Sequence, residues 1–296
     1  MVSADSRQIY REFDIGTAKP TLAERALVRH HLVDCVDPDS PYSLADYQSD
    51  AYRALADITA RGLTPLLVGG TGLYVRAVLD GLSIPRVPPD PELRAALEQR
   101  AAREGREVLH AELARLDPGA ATSIDARNVR RVVRALEVCL LTGRPFSATG
   151  SAAPPPYRVL RIGLTASRDI LYRRIDSRID AQLAAGLVDE VRRLLAAGYL
   201  TASPAMSSLG YRELAAYLRG ELSLDVAAER MKFETHRYVR QQYTWFRLDS
   251  PAIHWLDIAT DVVPAALALT RAWLEAESGV PATGGAPAQV HSDHGG

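Results

Sequence analysis

Lysine is almost missing from this chain of 296 residues: only Lys19 and Lys232 occur, although Lys and Arg together number 35. An arginine excess of this kind follows from genomic base composition as readily as from function, so it counts for little by itself. A dominant sign of charge is missing too. The formal net charge is −1, which argues against binding a polyanion through bulk charge but leaves room for a local basic face. Cysteine is limited to Cys35 and Cys139, far apart and each in an apolar run, which fits neither a disulfide framework nor a zinc site. A reduced, cytoplasmic protein is therefore the default expectation. No window approaches about eighteen apolar residues, and the N-terminus lacks a charged stretch followed by an apolar one, so no membrane span and no export signal is expected. His291 and His294 are too isolated to suggest a metal site, and His254, in an apolar strand, reads as structural.

What the chain does have is a 47% hydrophobic composition, ample for one large domain or two smaller ones. Residues 1–4 resemble the exit of a buried strand, and residues 31–36 (HLVDCV) read as a second short strand before Asp37-Pro38. Ser43 with Asp46 makes a capping-box start for a helix through Tyr47, Ala51, Leu55 and Ile58, stopped by Gly62. Residues 64–68 form a short apolar run that ends in Gly69-Gly70-Thr71-Gly72, after which apolar residues continue at helical spacing. Strand, glycine turn and helix in that order are the mark of a parallel α/β core.

Four prolines within residues 85–91 (PRVPPDP) make a stiff connector and a domain boundary. From there to residue 145 three helical periodicities follow with no strand between them: residues 92–103, 106–116 and 128–141. Residues 150–156 are a second loose connector, and residues 158–165 (RVLRIGLT) return to strand character. Helices follow over 168–186, 188–197, 211–218 and 227–246, then a strand over 252–258 and a helix over 263–277. The expected organisation is a first core part over 1–85, a helical insertion over 86–145, a second core part over 146–277 and a disordered tail over 278–296.

Residues 3–10 (SADSRQIY) crowd an acid, two hydroxyls, an amide and a phenol behind a strand end, where open α/β sheets place their ligands. Asp5 there could take a proton as a general base or hold a metal-bound water; for a lone Asp, capping the next turn is the commoner outcome. Ser6 and Gln8 suit the edge of a nucleobase. Gly69-Gly70-Thr71 outlines an anion site at a helix N-terminus, or a plain turn capped by Thr71. Arg174 and Arg178 share a helix face and could clamp a diphosphate, or could pair with Asp176 and Asp180. Arg127, Arg130, Arg131 and Arg134 fall at i, i+3, i+4 and i+7, a basic stripe without interleaved acids that invites a polyanion. The helix carrying His236, Arg237, Arg240, Gln241 and Gln242 ends in Trp245 and Phe246, which could stack on a base or simply fill the core.

Taken in order, SADSRQIY, DIGTAKP (14–20), LVGGTGLY (67–74), RRVVRALEV (130–138), GYRE (210–213) and TWFR (244–247) closely resemble the tRNA dimethylallyltransferases, also called tRNA isopentenyltransferases. The resemblance runs from Met1 to about Asp257, and the joint order of the motifs is highly specific. It implies an α/β fold with a P-loop-NTPase-like parallel-sheet core and an inserted all-helical subdomain. It also implies transfer of a dimethylallyl group from dimethylallyl diphosphate to N6 of the adenosine beside the tRNA anticodon, by a cytoplasmic monomer. By the same resemblance Asp5 is the general base, and Thr71 and Arg178 sit at the leaving diphosphate. The implied tRNA contacts are Asp5, Ser6, Arg7, Gln8, Thr71, Arg130, Arg131, Val132, Val133, Arg134, Gly210, Tyr211 and Arg212. Mg2+ is the implied cofactor.

Family members also carry a first strand and a loop of the form GxTxxGK[ST] roughly thirty residues before the SADS segment; here that loop, its lysine and its magnesium-binding hydroxyl do not occur. A smaller departure is Arg240-Gln241-Gln242, where relatives more often have Lys-Arg-Gln. Two rivals accompany the enzyme reading: a protein that only binds tRNA, and a relative that prenylates free adenine nucleotides, against which the helical insertion speaks. The chain that starts at Met1 is expected to be poorly active. Full turnover by a purified protein whose intact mass places Met1 first would refute that.

Overall fold

The structure is a computed structural model describing residues 1–148, 155, 157–199, 201 and 203–278. The chain divides into two compact units, one of Met1–Tyr157 with Tyr172–Phe246, the other of Arg158–Leu171 with the residues from Arg247 onward. The fold class is α/β with parallel strands. The connector over residues 150–156 lies outside the described residues except for Pro155, as do residues 279–296 with His291 and His294.

In the first unit β1 (Val2–Ser3) is followed by α1 (Leu22–Leu27), α2 (Leu44–Ala60), β2 (Leu67–Val68) and α3 (Gly72–Leu79). β1 and β2 pair in parallel, Val2 opposite Leu67 and Ser3 opposite Val68. The strand expected over residues 31–36 shrinks to isolated bridges, His31 to Val2 and Val36 to Tyr10. Leu32 and Asp34 between them adopt left-handed backbone angles, φ 61° and 54°, which interrupt any extended run. The start of α2 is as its sequence suggests: Ser43 Oγ accepts from the Asp46 N–H, and Asp46 Oδ2 accepts from the Ser43 N–H. Its apolar positions Tyr47, Ala51, Leu55 and Ile58 are all buried. The Tyr47 and Tyr74 rings stack at 3.7 Å, and the Tyr47 hydroxyl donates to the Ser3 carbonyl at 3.1 Å. The core under α2 and α3 thereby grips the last residue of β1, and each such fully buried side chain contributes about 1.5–3 kcal/mol.

The proline connector leads into α4 (Pro91–Glu104), α5 (Arg106–Leu116), α6 (Pro118–Ser123) and α7 (Val129–Thr142). These helices share a separate core around Leu97, Leu109, Leu113, Val132, Val133 and Leu136. At its edge Glu137, fully buried, takes two bonds of 2.8 Å from Arg94, one of 2.5 Å from Arg134 and the Asp90 N–H at 2.7 Å.

The first unit continues from Tyr172 within α8 (Arg168–Ala184) through α9 (Leu187–Ala196), α10 (Tyr211–Leu218) and α11 (Leu224–Trp245). They build a third core around Phe13, Leu187, Val191, Tyr211, Leu214 and Met231. In the second unit β3 (Ile162–Thr165) and β4 (His254–Asp257) pair in parallel, and α12 (Val263–Ser278) follows. His254, expected to be structural, is exposed on β4, while Trp255 beside it packs where a Gly163 Cβ would stand, 2.6 Å from the ring. No helix among the described residues is long and apolar enough to cross a membrane.

Burial pushes the Glu137 carboxyl up, but Arg94, Arg134 and the Asp90 N–H outweigh it and hold it below the usual carboxylate range. A group so depressed stabilises the fold above about pH 4 and loses that contribution as pH falls through its own lower value. Glu137→Ala is expected to cost about 2–3 kcal/mol, since the guanidinium groups it abandons keep some water. Thermal melts at pH 7 and pH 3 check this; a variant with the parent's acid profile would take Glu137 out of the account.

Candidate functional site

Two loops leave the carboxyl ends of the paired strands and are stitched together. The Thr71 N–H donates to the Ala4 carbonyl at 3.1 Å, the Ser6 N–H donates to Thr71 Oγ1 at 3.1 Å, and Thr71 Oγ1 lies 3.3 Å from Ser6 Oγ. The approach demands glycine. A Cβ on Gly69 would stand 2.3 Å from the Ala4 carbonyl oxygen, which is backbone and cannot give way. Thr71 is the N-cap of α3 but makes no side-chain cap bond, because its hydroxyl is turned across to Ser6. The Gly72 and Leu73 N–H groups meet no acceptor among the described residues, so the helix N-terminus keeps donors for a ligand.

Asp5 caps the turn that follows it. Its Oδ1 accepts the N–H groups of Arg7 at 2.8 Å and Gln8 at 3.3 Å, an Asx turn. Its Oδ2 has no hydrogen bond among the described residues and remains open for a proton. The side chains after it are partly committed. Arg7 donates to the Pro204 carbonyl, and Gln8 Nε2 donates to the carbonyls of Thr17 and Ala18, both at 3.2 Å.

The third wall is α11. Tyr238, Gln242 and Trp245 fall at i, i+4 and i+7, one face of the helix. Gln242 Nε2 donates to the Gly70 carbonyl at 3.1 Å, and the Tyr238 hydroxyl reaches the same oxygen at 3.4 Å. Trp245 packs so closely on Gly72 that a Cβ there would fall 2.3 Å from the indole. Gln242 and Trp245 stand out in the sequence as polar and aromatic neighbours. Tyr238 was not legible as a site residue, and the spacing shared with Gln242 was the available signal.

The DIGTAKP segment supports this site from beneath. Glu190 of α9, buried, accepts the N–H groups of Asp14, Ile15 and Gly16 at 3.2, 2.9 and 3.3 Å and the Tyr211 hydroxyl at 2.6 Å. Gly16 lies flat on the Tyr211 ring, which a Cβ would meet at 2.5 Å. Lys19, with a side chain 1% exposed, donates to the Tyr10 carbonyl at 2.8 Å and to Asp14 at 2.7 Å, and pairs with Asp34.

The basic stripe of α7 is only partly open. Arg130 and Arg131 are exposed and meet no carboxylate among the described residues. Arg134 instead turns inward to Glu137 and to the carbonyls of Pro85 at 3.3 Å and Val87 at 3.0 Å, because the proline connector covers that end of the helix. Arg127 lies before the start of α7 and pairs with Asp125 at 2.6 Å, which takes it out of the helical stripe. Val132 and Val133, expected at the tRNA, are 1% and 2% exposed and face the helical core, leaving no side chain for a ligand. Tyr211 is likewise buried. Gly210 is the N-cap of α10 at φ 90°, and Arg212 is exposed beside Glu213, 2.6 Å away.

On α8, Asp176 and Asp180 face α11 rather than the arginines. Asp180 pairs with Lys232 at 2.9 Å, and Asp176 approaches His236 Nε2 to 2.8 Å outside hydrogen-bond geometry. The Arg178 guanidinium is exposed and makes no bond or ion pair among the described residues; no hydrogen bond ties it to the loops of Asp5 and Thr71.

Parallel strand ends, a glycine turn opening a helix and a carboxylate with one oxygen left unbonded among the described residues make up an α/β site at the carboxyl ends of the strands. Residues 8–249 match the family model described as IPP transferase. The chain is 52% identical to the tRNA dimethylallyltransferase of Roseiflexus sp. (strain RS-1) over 93% of its own length and 90% of that protein's. It resembles the crystal structure of the tRNA isopentenylpyrophosphate transferase of Bacillus halodurans at 38% identity and TM-score 0.66, covering 93% of this chain and 87% of that one. A eukaryotic dimethylallyltransferase acting on tRNA matches at TM-score 0.77 and 25% identity, covering 96% of this chain and 74% of that one. The chain belongs to the tRNA dimethylallyltransferase family.

Gly69→Ala is expected to part the two loops, with a loss of about 3 kcal/mol or more as backbone is forced aside. Denaturant melts of this variant beside Gly62→Ala, at a left-handed glycine with open space around it, distinguish a clash from a general cost of replacing glycine.

Proposed function

We propose that the chain transfers a dimethylallyl group from dimethylallyl diphosphate to N6 of the adenosine 3′ of the anticodon in tRNA, releasing diphosphate. The observation that carries this reading is the hydrogen-bonded junction of Ser6 with Thr71. It puts the open oxygen of Asp5 and the N-terminus of α3 on neighbouring loops. The N6 nitrogen attacks C1 of the allyl group as the C1–O bond breaks. The bonding pair leaves with the diphosphate, and Asp5 Oδ2 takes the proton that the amine gives up.

Charge develops on the departing diphosphate, so donors fixed before reaction stabilise the transition state most. Thr71, the first N–H groups of α3 and Arg178 are the proposed donors. Ser6 and Gln8 are proposed to read the base, which must leave its stack to reach Asp5. Arg130, Arg131 and Arg212 are proposed to meet the phosphate backbone of the anticodon stem-loop, with the helical segment 86–145 as the gripping arm. Val132, Val133 and Arg134 then act by holding that arm in shape. A cytoplasmic monomer is the form proposed.

Mg2+ is the cofactor implied by resemblance. Such an ion takes most of its ligands from substrate phosphates and water, with one or two protein carboxylates; among the described residues no group of three or more His, Cys, Asp or Glu side chains gathers.

The test is incorporation of labelled dimethylallyl groups into an anticodon stem-loop, with AMP as the competing acceptor. Label is expected on the stem-loop alone, and Asp5→Ala is expected to slow transfer by about 10²-fold to 10⁴-fold. Equal labelling of AMP would favour a nucleotide prenyltransferase; stem-loop binding without label would leave a tRNA-binding protein.

A further inference from the structure

The peptide unit joining Gly70 to Thr71 is held at both ends. Its N–H donates to the Ala4 carbonyl at 3.1 Å, and its C=O receives Gln242 Nε2 at 3.1 Å and the Tyr238 hydroxyl at 3.4 Å. A peptide unit is planar, so fixing both its polar groups fixes the plane, and with it the direction in which the Thr71 side chain leaves the backbone. A peptide following glycine is otherwise among the easiest to flip, since Gly70 has no Cβ to restrict it. The same missing Cβ lets Gln242 in, because a Cβ on Gly70 would fall 2.1 Å from Nε2.

We propose that Tyr238 and Gln242 are positioning residues for the transfer reaction: from one face of α11 they lock the Gly70–Thr71 peptide, and so aim the Thr71 hydroxyl and the first N–H groups of α3 at the diphosphate. This rests on the reading of the site given above. Both residues donate to a backbone carbonyl and neither needs to touch substrate. Much of the Tyr238 ring faces solvent, yet its hydroxyl lies within electrostatic reach of Thr71 and Asp5. Burial raises the phenol above its ordinary value, so at neutral pH it is protonated and able to donate.

The lock explains why one helix contributes a phenol, an amide and an indole at i, i+4 and i+7 to three consecutive residues of a loop. Trp245 against Gly72 seats the helix start, and Gln242 with Tyr238 orients the peptide before it. With only the Ala4 contact and the Ser6–Thr71 bonds holding the loop, the peptide could still pivot about its N–H. Two donors on the opposite side remove the pivot.

The variants are Gln242→Ala, Tyr238→Phe and the pair together, studied in the full chain. Inorganic pyrophosphate is the binding probe, and an anticodon stem-loop is the probe of the other substrate. The pair is expected to weaken pyrophosphate binding about tenfold, the loss of roughly one to two oriented hydrogen bonds. The KM for dimethylallyl diphosphate should rise and kcat fall, while stem-loop affinity and the melting midpoint stay at their parent values. A pyrophosphate Kd within about twofold of the parent, a parent chain that binds no pyrophosphate, or stem-loop affinity falling in step with the melting midpoint would each overturn the lock. Were the parent to transfer no label while the variants still lost pyrophosphate, the proposed function would fail and the lock would stand.

Discussion

The buried carboxylate of Glu190 is the contact on which the rest of the first unit depends. Among the described residues no cation pairs with it; three backbone N–H groups and one phenol donate to it instead. Burying a charge without partners costs several kcal/mol, so its four donors must all be in place together. That requirement ties the 14–16 loop, α9 and the first residue of α10 into one arrangement. Lys19 repeats the device with opposite sign, its ammonium taking a carbonyl and two carboxylates. Between them these two residues hold the loop that starts at Asp5, so Asp5 is presented by a rigid support although its loop has almost no regular structure.

The site above that support is made by close approach more than by reach. Gly69 lies against the Ala4 backbone and Gly72 against the Trp245 indole at separations a Cβ could not keep, and a Cβ on Gly70 would push the Gln242 amide away. Catalytic donors benefit from this kind of construction because their orientation is paid for during folding and not during reaction. It also concentrates risk: one methyl group at Gly69 or Gly72 presses on the Ala4 backbone or on the Trp245 indole that seats the helix start.

Legibility from sequence varied with the range of the interaction involved. α2 could be read from Ser43, Asp46 and the spacing of Tyr47, Ala51, Leu55 and Ile58, because a capping box and a helical stripe are local. The strand, glycine turn and helix over residues 67–79 was read for the same reason. The strand expected at 31–36 failed because Asp34 is drawn toward Lys19 and Arg25, partners distant in sequence, and its backbone turns left-handed to reach them. The arginine stripe of α7 was visible as a stripe. Its division into open Arg130 and Arg131 and inward Arg134 was not, because the covering carbonyls belong to residues 85 and 87.

The sequence by itself determined the family, most of the longer helices and the chemical types present: an acid after a strand, a glycine turn, a basic helix and a polar helix ending in aromatics. Those features are encoded within a few residues of one another and survive without a fold. Tertiary structure alone decided which groups are spent and which stay open. It gave one oxygen of Asp5 to the turn and left the other, sent Asp176 and Asp180 to α11, and set Tyr238 and Gln242 on the Gly70 carbonyl. The physical reason is that hydrogen bonds and close packing are satisfied between surfaces far apart in the chain, and no local pattern records which donor will find which acceptor.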